Sequence, residues 1–547
     1  MRIFSASQVP LPAIVDDKLP ARRWLKACMA LSLLCLLNIH IGAQTATAVN
    51  VPMWRYGNAS AGANSQETLL NVSNVNTTSF GKLFSVAVDG YVYAQPLYVA
   101  GITMPDGLVH NVIFIATEHD SVYAFDADTN GGANAQPLWK VSMIDTAHGA
   151  AAGATTVPNS AIGSLDIVPE VGITSTPVYN LASQTLYVVA KSEENGSYIQ
   201  RIHALNMLNG SEQANSPSQP IAATVTGGGN GSANGKLAFS SLWQLNRVAL
   251  NLFNGYLYVA FGSHGDNGPW HGWVLAYNAT TLNQTGVFCL SPNGLGNGVW
   301  SSGAAMPIDT VNPSGRMFLT AGNGTLTTYP PLSSQTDYSN SILRLDLGSG
   351  TLTPGSAFTP FNQAALTSSD LDQGSGGELL LPDQPGTYPH ELLQIGKEGR
   401  ILLLNRDSLG GYVPGGSSNT NIIQDITGTT GGLWSTPAYW NGHVFMWASG
   451  DHLKRFELTN GLLSTTASSS STVKSSFPGA TPVVSSNGTQ NAIVWAVRSD
   501  AYNSNGSSIL YAFDASGEPE AYHQQWQAGE PVRQKRFACD LICEIIF

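Results

Sequence analysis

Charged side chains are scarce in this sequence, and many of those present fall in short clusters. They are Glu118-His119-Asp120, Glu193-Glu194, His264 with Asp266, Lys397-Glu398-Gly399-Arg400, Asp451-His452, and Arg498 with Asp500. Carboxylates beside imidazoles and cations suit a polar binding face. The same residue types are also what solvated turns need, so both readings stand at this level. His264 and His271, with Asp266 between them, lack a strong metal spacing, and a metal site needs three or four converging ligands. No metal site is therefore expected. The run from Asp126 to Gly131 imitates the start of a calcium loop, but its twelfth position is Pro137 rather than Glu, so it reads as a turn after a strand. Gly227 to Lys236 fails as a phosphate loop, because Asn230 and Leu237 replace the required Gly and Ser/Thr. No Gly-x-Ser-x-Gly elbow occurs. Trp270, Trp273, Trp300, Trp434 and Trp440 offer rings for stacking on a planar ligand or a sugar, or for filling a core, and the core reading is favoured.

Composition limits the scaffold that positions these groups. Of 547 residues, 11% are charged, and 24 Lys+Arg against 36 Asp+Glu give a net charge of -12. An acidic chain lacks the basic field of a nucleic-acid binder. Scarce Glu, Lys and Arg argue against a helical bundle, and 43% hydrophobic residues argue against disorder. Abundant glycine (57 residues), 19 Tyr and 12 Trp point to a large β protein.

The elements repeat. A Pro-containing lead (Gln95-Pro96, Thr176-Pro177, Thr436-Pro437, Thr481-Pro482) opens a unit. A β-rich run follows, for example Val112–Ile115, Leu186–Val189, Tyr256–Val259 or Val444–Trp447. After a polar turn, a second run ends in Asp or Asn: Val122–Asp126, Ile202–Asn206, Val274–Asn278, Ile342–Asp346, Ile401–Asn405, Leu510–Asp514. In the first and last good copies, Trp139 and Trp526 mark an outer strand wedged against a neighbouring unit. Runs of strand length between Gly/Asn/Asp turns, in units that cannot bury both faces alone, predict an all-β fold. It is a single β-propeller of four-stranded antiparallel blades with seven visible repeats. The turn between the second and third strands of each blade then lies on one face near the axis, where the charged clusters collect.

The repeat, together with Trp54-Arg55-Tyr56-Gly57, Asn71 and Asn74, resembles that of the pyrroloquinoline quinone (PQQ) dehydrogenase-like superfamily. The resemblance implies an eight-bladed ring, so the last blade is expected to be incomplete. It also implies PQQ and calcium at the centre of one face in the catalytic members, many of which carry an adjacent cysteine pair. The 5 cysteines here include no such pair, and no calcium-ligand set or catalytic Asp can be placed residue by residue.

Residues 1–48 read as an N-terminal extension and signal peptide. Arg22, Arg23 and Lys26 precede an apolar run from Ala27 to Leu37, followed by Ala43, Ala46 and Ala48. That run is shorter than the ~20 residues of a membrane span. The propeller takes 49–532. The basic, then Cys-containing tail 533–547 reads as the product of a frameshift or truncation, or as a natural cap. The expectation is an exported, non-enzymatic propeller that binds a protein or polymer through the charged face, with no cofactor, no nucleic acid and no membrane span beyond the signal. The alternative is a PQQ- and calcium-dependent alcohol or sugar dehydrogenase, with a carboxylate as base.

Overall fold

The structure, a computed structural model, describes residues 49–76, 78–327, 332–502, 506–517 and 526–527. The signal-like segment and the C-terminal tail lie outside them. The described chain forms seven blade sheets in sequence order, plus a two-stranded hairpin of Thr224–Thr226 and Lys236–Ala238 between blades 2 and 3. Blade 1 shows the plan: Leu97–Thr103, Val109–Ala116, Ser121–Asp126 and Trp139–Ser142 pair antiparallel, each with the next. Blade 2 is built on Val178–Asn180, Thr185–Glu194 and Ser197–Asn206, and blade 3 on Asn251–Phe253, Tyr256–Ser263, Trp273–Asn278 and Gln284–Cys289. Blades 4, 5 and 6 have inner strands at Ile308–Asp309, Leu379–Leu380 and Ala438–Trp440. Blade 7 runs from Val483–Asn487 to Trp526–Gln527.

Alternate side chains of a strand face opposite sides, and each blade covers both sides with its neighbours. In blade 3, Leu257, Val259 and Phe261 pack toward blade 2, while Tyr258 and Ala260 pack toward blade 4; all are fully buried. Trp139 behaves as its position predicts. It lies on the outer strand of blade 1, and its indole Nε1 donates to the Met207 carbonyl of blade 2 at 2.9 Å.

The expectation of an eighth, missing blade is not met. Blades 7 and 1 share one core, in which Tyr98 joins Val484, Trp495 and Phe513. The chain segment before blade 1 secures the join. Val51 exchanges backbone hydrogen bonds with Tyr98, and Ala63–Asn64 adds a parallel strand to the inner strand of blade 7. Between these points, the carbonyls of Pro52, Asn58 and Ala61 accept from Tyr179, Ile308 and Tyr439, the inner strands of blades 2, 4 and 6. Residues 51–64 therefore cross the axis and tie the ring together. A single repeat gives no hint of this, because the segment belongs to none.

The crossing also fills the channel. Trp54 packs on Ala249, Ala304 and Ala305. The Arg55 guanidinium, 1% exposed, donates to the carbonyls of Thr436 (3.1 Å), Pro437 (2.8 Å) and Pro482 (3.3 Å). These belong to the Pro-containing leads of blades 6 and 7, whose carbonyls have no strand partner.

Candidate functional site: the axial mouth

The leads into the inner strands begin a few residues before the Trp54–Arg55 floor. There they enclose a cleft of about 210 Å³ at the axis. Asp166 and Arg247 come from the leads into blades 2 and 3, and Asp266 from the turn within blade 3. Trp300 and Ser302 lead into blade 4; Asp370, Asp372 and Ser375 lead into blade 5, which also supplies Lys397. Trp434 leads into blade 6.

Local sequence fixes the Trp300 ring. A Cβ on Gly262, Gly298 or Gly322 would stand 2.8, 3.0 or 2.6 Å from the indole, so these three positions leave the space that it occupies. Its edge meets Trp270, with ring centroids 5.7 Å apart. Trp434 rests against Phe477 at 5.0 Å, nearly perpendicular. Both mouth rings are half-buried, whereas Trp273 and Trp440 are core. The favoured core reading of these tryptophans thus describes Trp273 and Trp440, while Trp270, Trp300 and Trp434 are half-buried.

Charge at the mouth is unbalanced: four aspartates face Arg247 and Lys397. Lys397 Nζ lies 2.6 Å from Asp372 and 2.9 Å from Asp370. Burial works against its charge, but those two carboxylates outweigh it and raise its pKa. Asp266 is pushed up by desolvation and by the negative charge of Asp372 and Asp370.

Beneath the mouth lies a buried titratable layer. Glu118 Oε2 accepts from the Gly172 amide (2.8 Å) and the Thr174 hydroxyl (3.1 Å), yet burial lifts its pKa to about 7. Asp120, fully buried, is raised well above the carboxylate range by burial and by Glu118. Lys191 Nζ donates to the carbonyls of Leu242 (2.8 Å) and Gln244 (3.3 Å) and reaches His264 Nε2 at 2.9 Å. Burial lowers the Lys191 pKa to about 7 against the pull of Asp166 and Glu118. Burial and then Lys191 hold His264 well below its ordinary value. A neutral His264 that accepts at Nε2 carries its proton on Nδ1, 4.0 Å from Asp166. His264 and Lys191 thus form a buried pair behind the mouth, with Nδ1 beyond hydrogen-bond distance of Asp166. The mouth carboxylates themselves can hold a cation.

Glu118 to Asp120, His264, Asp266 and Lys397 to Arg400 fall in turns between second and third strands, whereas Glu193, Glu194, Asp451, His452 and Arg498 lie at the ends of those strands; of all these only Asp266 and Lys397 line the cleft. Glu118, Asp120 and His264 lie buried behind it. The rest form local pairs or sit beside them. His119 bonds Glu170 at 2.9 Å, and Glu194 is gripped by Arg201 next to Glu193. Arg400 bridges Glu398 and Asp425, Asp451 holds Lys454 beside His452, and Arg498 holds Asp500. His271 bonds Ser291 and the Asn230 carbonyl, remote in partnership from His264. Asp126 Oδ1 accepts from the Asp128 and Thr129 amides, an Asx turn as read. Sequence reasoning missed Asp166, Arg247, Asp370 and Asp372. They stand in leads between blades, where no repeat or motif marks them.

No family model and no curated protein matches the sequence. Solved structures match by fold. A quinohemoprotein alcohol dehydrogenase from Comamonas testosteroni aligns at 14% identity over 90% of this chain and 75% of its own, with a TM-score of 0.55. One from Pseudomonas putida gives 14% identity, coverage of 88% and 73%, and a TM-score of 0.54. A europium-containing methanol dehydrogenase gives 12% identity, coverage of 88% and 86%, and a TM-score of 0.57. The fold is therefore that of the quinoprotein dehydrogenase-like propellers, as the repeat indicated. At these identities, the likeness concerns the fold alone. Among the described residues, no helix is long and apolar enough to cross a membrane.

Proposed function

We propose that the protein is an exported binding propeller whose axial mouth receives a cationic group carried by a protein or polymer ligand. The observation that carries this reading is the mouth itself: four carboxylates against two cations, one of which already bridges Asp370 and Asp372, beside two indole faces. Carboxylates and aromatic faces both attract cations, and the low-dielectric walls strengthen the attraction. The basic–apolar–small order of residues 22–48 supports export.

The likeness to quinoprotein dehydrogenases favours a second reading, a PQQ- and calcium-dependent dehydrogenase. A tricarboxylated quinone would need its calcium ion to offset the aspartates of the cleft, and Lys397 is already paired with Asp370 and Asp372. The sequence has no adjacent cysteine pair to stack on the quinone, and Cys289 is buried in blade 3 with its thiol pushed up to about 12. No reaction step is derived through PQQ.

Titration calorimetry with a lysine-rich peptide, its acetylated counterpart, and PQQ with calcium separates the readings. The cationic peptide should bind, bind less at high salt, and lose about tenfold in affinity, or 1.4 kcal/mol, in the double variant Asp166→Asn/Asp266→Asn. Saturable PQQ binding with dye reduction by alcohols would replace this reading with the second.

A further inference from the structure

We propose that His148, His203 and Glu212 form a binding site for a zinc-type divalent cation, which pins the connection between blades 1 and 2. Among the described residues, these are the one set of three such side chains whose ligand atoms all lie within 4.8 Å of one another. His148 Nδ1 and His203 Nδ1 each stand 2.8 Å from the same Glu212 oxygen. All three side chains are nearly buried, at 8%, 2% and 11% exposure.

The three come from different elements. His148 ends the short turn Thr146–His148, which follows the outer strand of blade 1. His203 lies in Ser197–Asn206 of blade 2, and Glu212 follows the turn after that strand. Two features hold the parts together. Ser216 Oγ donates to Glu212 Oε2 and accepts from the Ala204 amide at 2.7 Å, which orients the carboxylate. Gly149, in the left-handed region at φ 80°, passes so close to Pro217 that a Cβ would meet that ring at 2.6 Å. The blade 1 connection therefore lies directly on the Glu212–Pro217 segment.

Two imidazole nitrogens and one carboxylate oxygen are a donor set suited to zinc, with one position left for water or the Ser216 hydroxyl. Bonds of about 2.0 Å around a tetrahedral ion set neighbouring ligand atoms roughly 3.3 Å apart. Entry of the ion thus requires only a small opening of the present contacts. Binding through Nδ1 requires each ring to carry its proton on Nε2. Sequence spacing could not show the site, because the chain between His148 and His203 contains most of blade 2.

Full-length protein stripped with EDTA provides the test, with zinc competed against a chromophoric chelator and cobalt as a spectroscopic substitute. One equivalent of zinc should bind, and cobalt should give the strong visible absorption of a four-coordinate site. Glu212→Gln and His203→Asn should each weaken zinc binding at least about tenfold, and Ser216→Ala about 10–100-fold. Circular dichroism identifies variants that fold, and His148→Asn, on the surface connection, serves if the strand variant does not. Equal zinc binding by wild type and folded variants would overturn the site, as would a wild type that binds none. In either case the cluster is a hydrogen-bonded triad only.

Discussion

The mouth and the floor occupy the same axis, and the same leads into the inner strands build both, yet they treat charge in opposite ways. At the floor, one cation meets carbonyls that converge from blades 6 and 7, and Arg55 is enclosed. At the mouth, a few residues earlier in those leads, side chains rather than carbonyls face inward, and carboxylates outnumber cations. A polar group at the centre of a ring is thus structural where the backbone supplies its partners. It is available to a ligand where side chains leave an excess. Position near the axis alone does not distinguish the two.

Substitution should separate the regions most sharply at Arg55. Arg55→Met leaves the converging carbonyls buried without their donor. It should cost about 3 kcal/mol or more, read as a lowered denaturant midpoint. Asp266→Asn at the mouth should change stability by less than about 1 kcal/mol while weakening cation binding. Equal losses of stability would erase the distinction.

A smaller effect comes from the buried acids. Glu118, behind the mouth, and Glu378, on the lead into blade 5, both have pKa values raised to about 7 by burial. Between their ordinary range near 4.5 and about 7, the folded state keeps a proton that the unfolded state has lost. Stability contributed by these groups is therefore full at the lower pH and falls as pH rises through 7. Lys191, lowered to about 7, acts in the next window: the unfolded chain binds its proton first, so stability rises with pH from about 7 toward 10.5. Denaturation measured at pH 5 and pH 8 should show a loss that Glu378→Gln reduces by about 2 kcal/mol. A slope unchanged in that variant would show that Glu378 ionises freely.

The smallest effect belongs to the outer turns. Arg498, paired with Asp500 and lying over the Tyr511 ring at 5.4 Å, should cost about 1 kcal/mol or less on change to Ala. The variant should bind a cationic peptide as the wild type does. A large loss of binding would extend the site from the cleft to the whole charged face.

Much of the fold is legible in the sequence, because each blade must solve the same burial problem and so repeats strand-length apolar runs ending in Asp or Asn. Ring closure is not. Trp54-Arg55-Tyr56 stands out as a motif, but only the convergence of distant carbonyls makes it a floor. The resemblance implied eight blades, whereas the crossing segment closes seven. At the mouth, Asp266 and Lys397 are found because turns within blades recur. Asp166, Arg247, Asp370 and Asp372 are not, because the segments between blades vary freely.

The glycines beneath Trp300 have one further consequence. A side chain that already has a single resting place gives up no rotational freedom when a guest arrives. The wall of the cleft is therefore rigid before binding, and selection falls on the guest. A flat or slender group that lies along the indole meets a prepared surface. A bulky one would have to displace a ring that Gly262, Gly298 and Gly322 allow to seat closely.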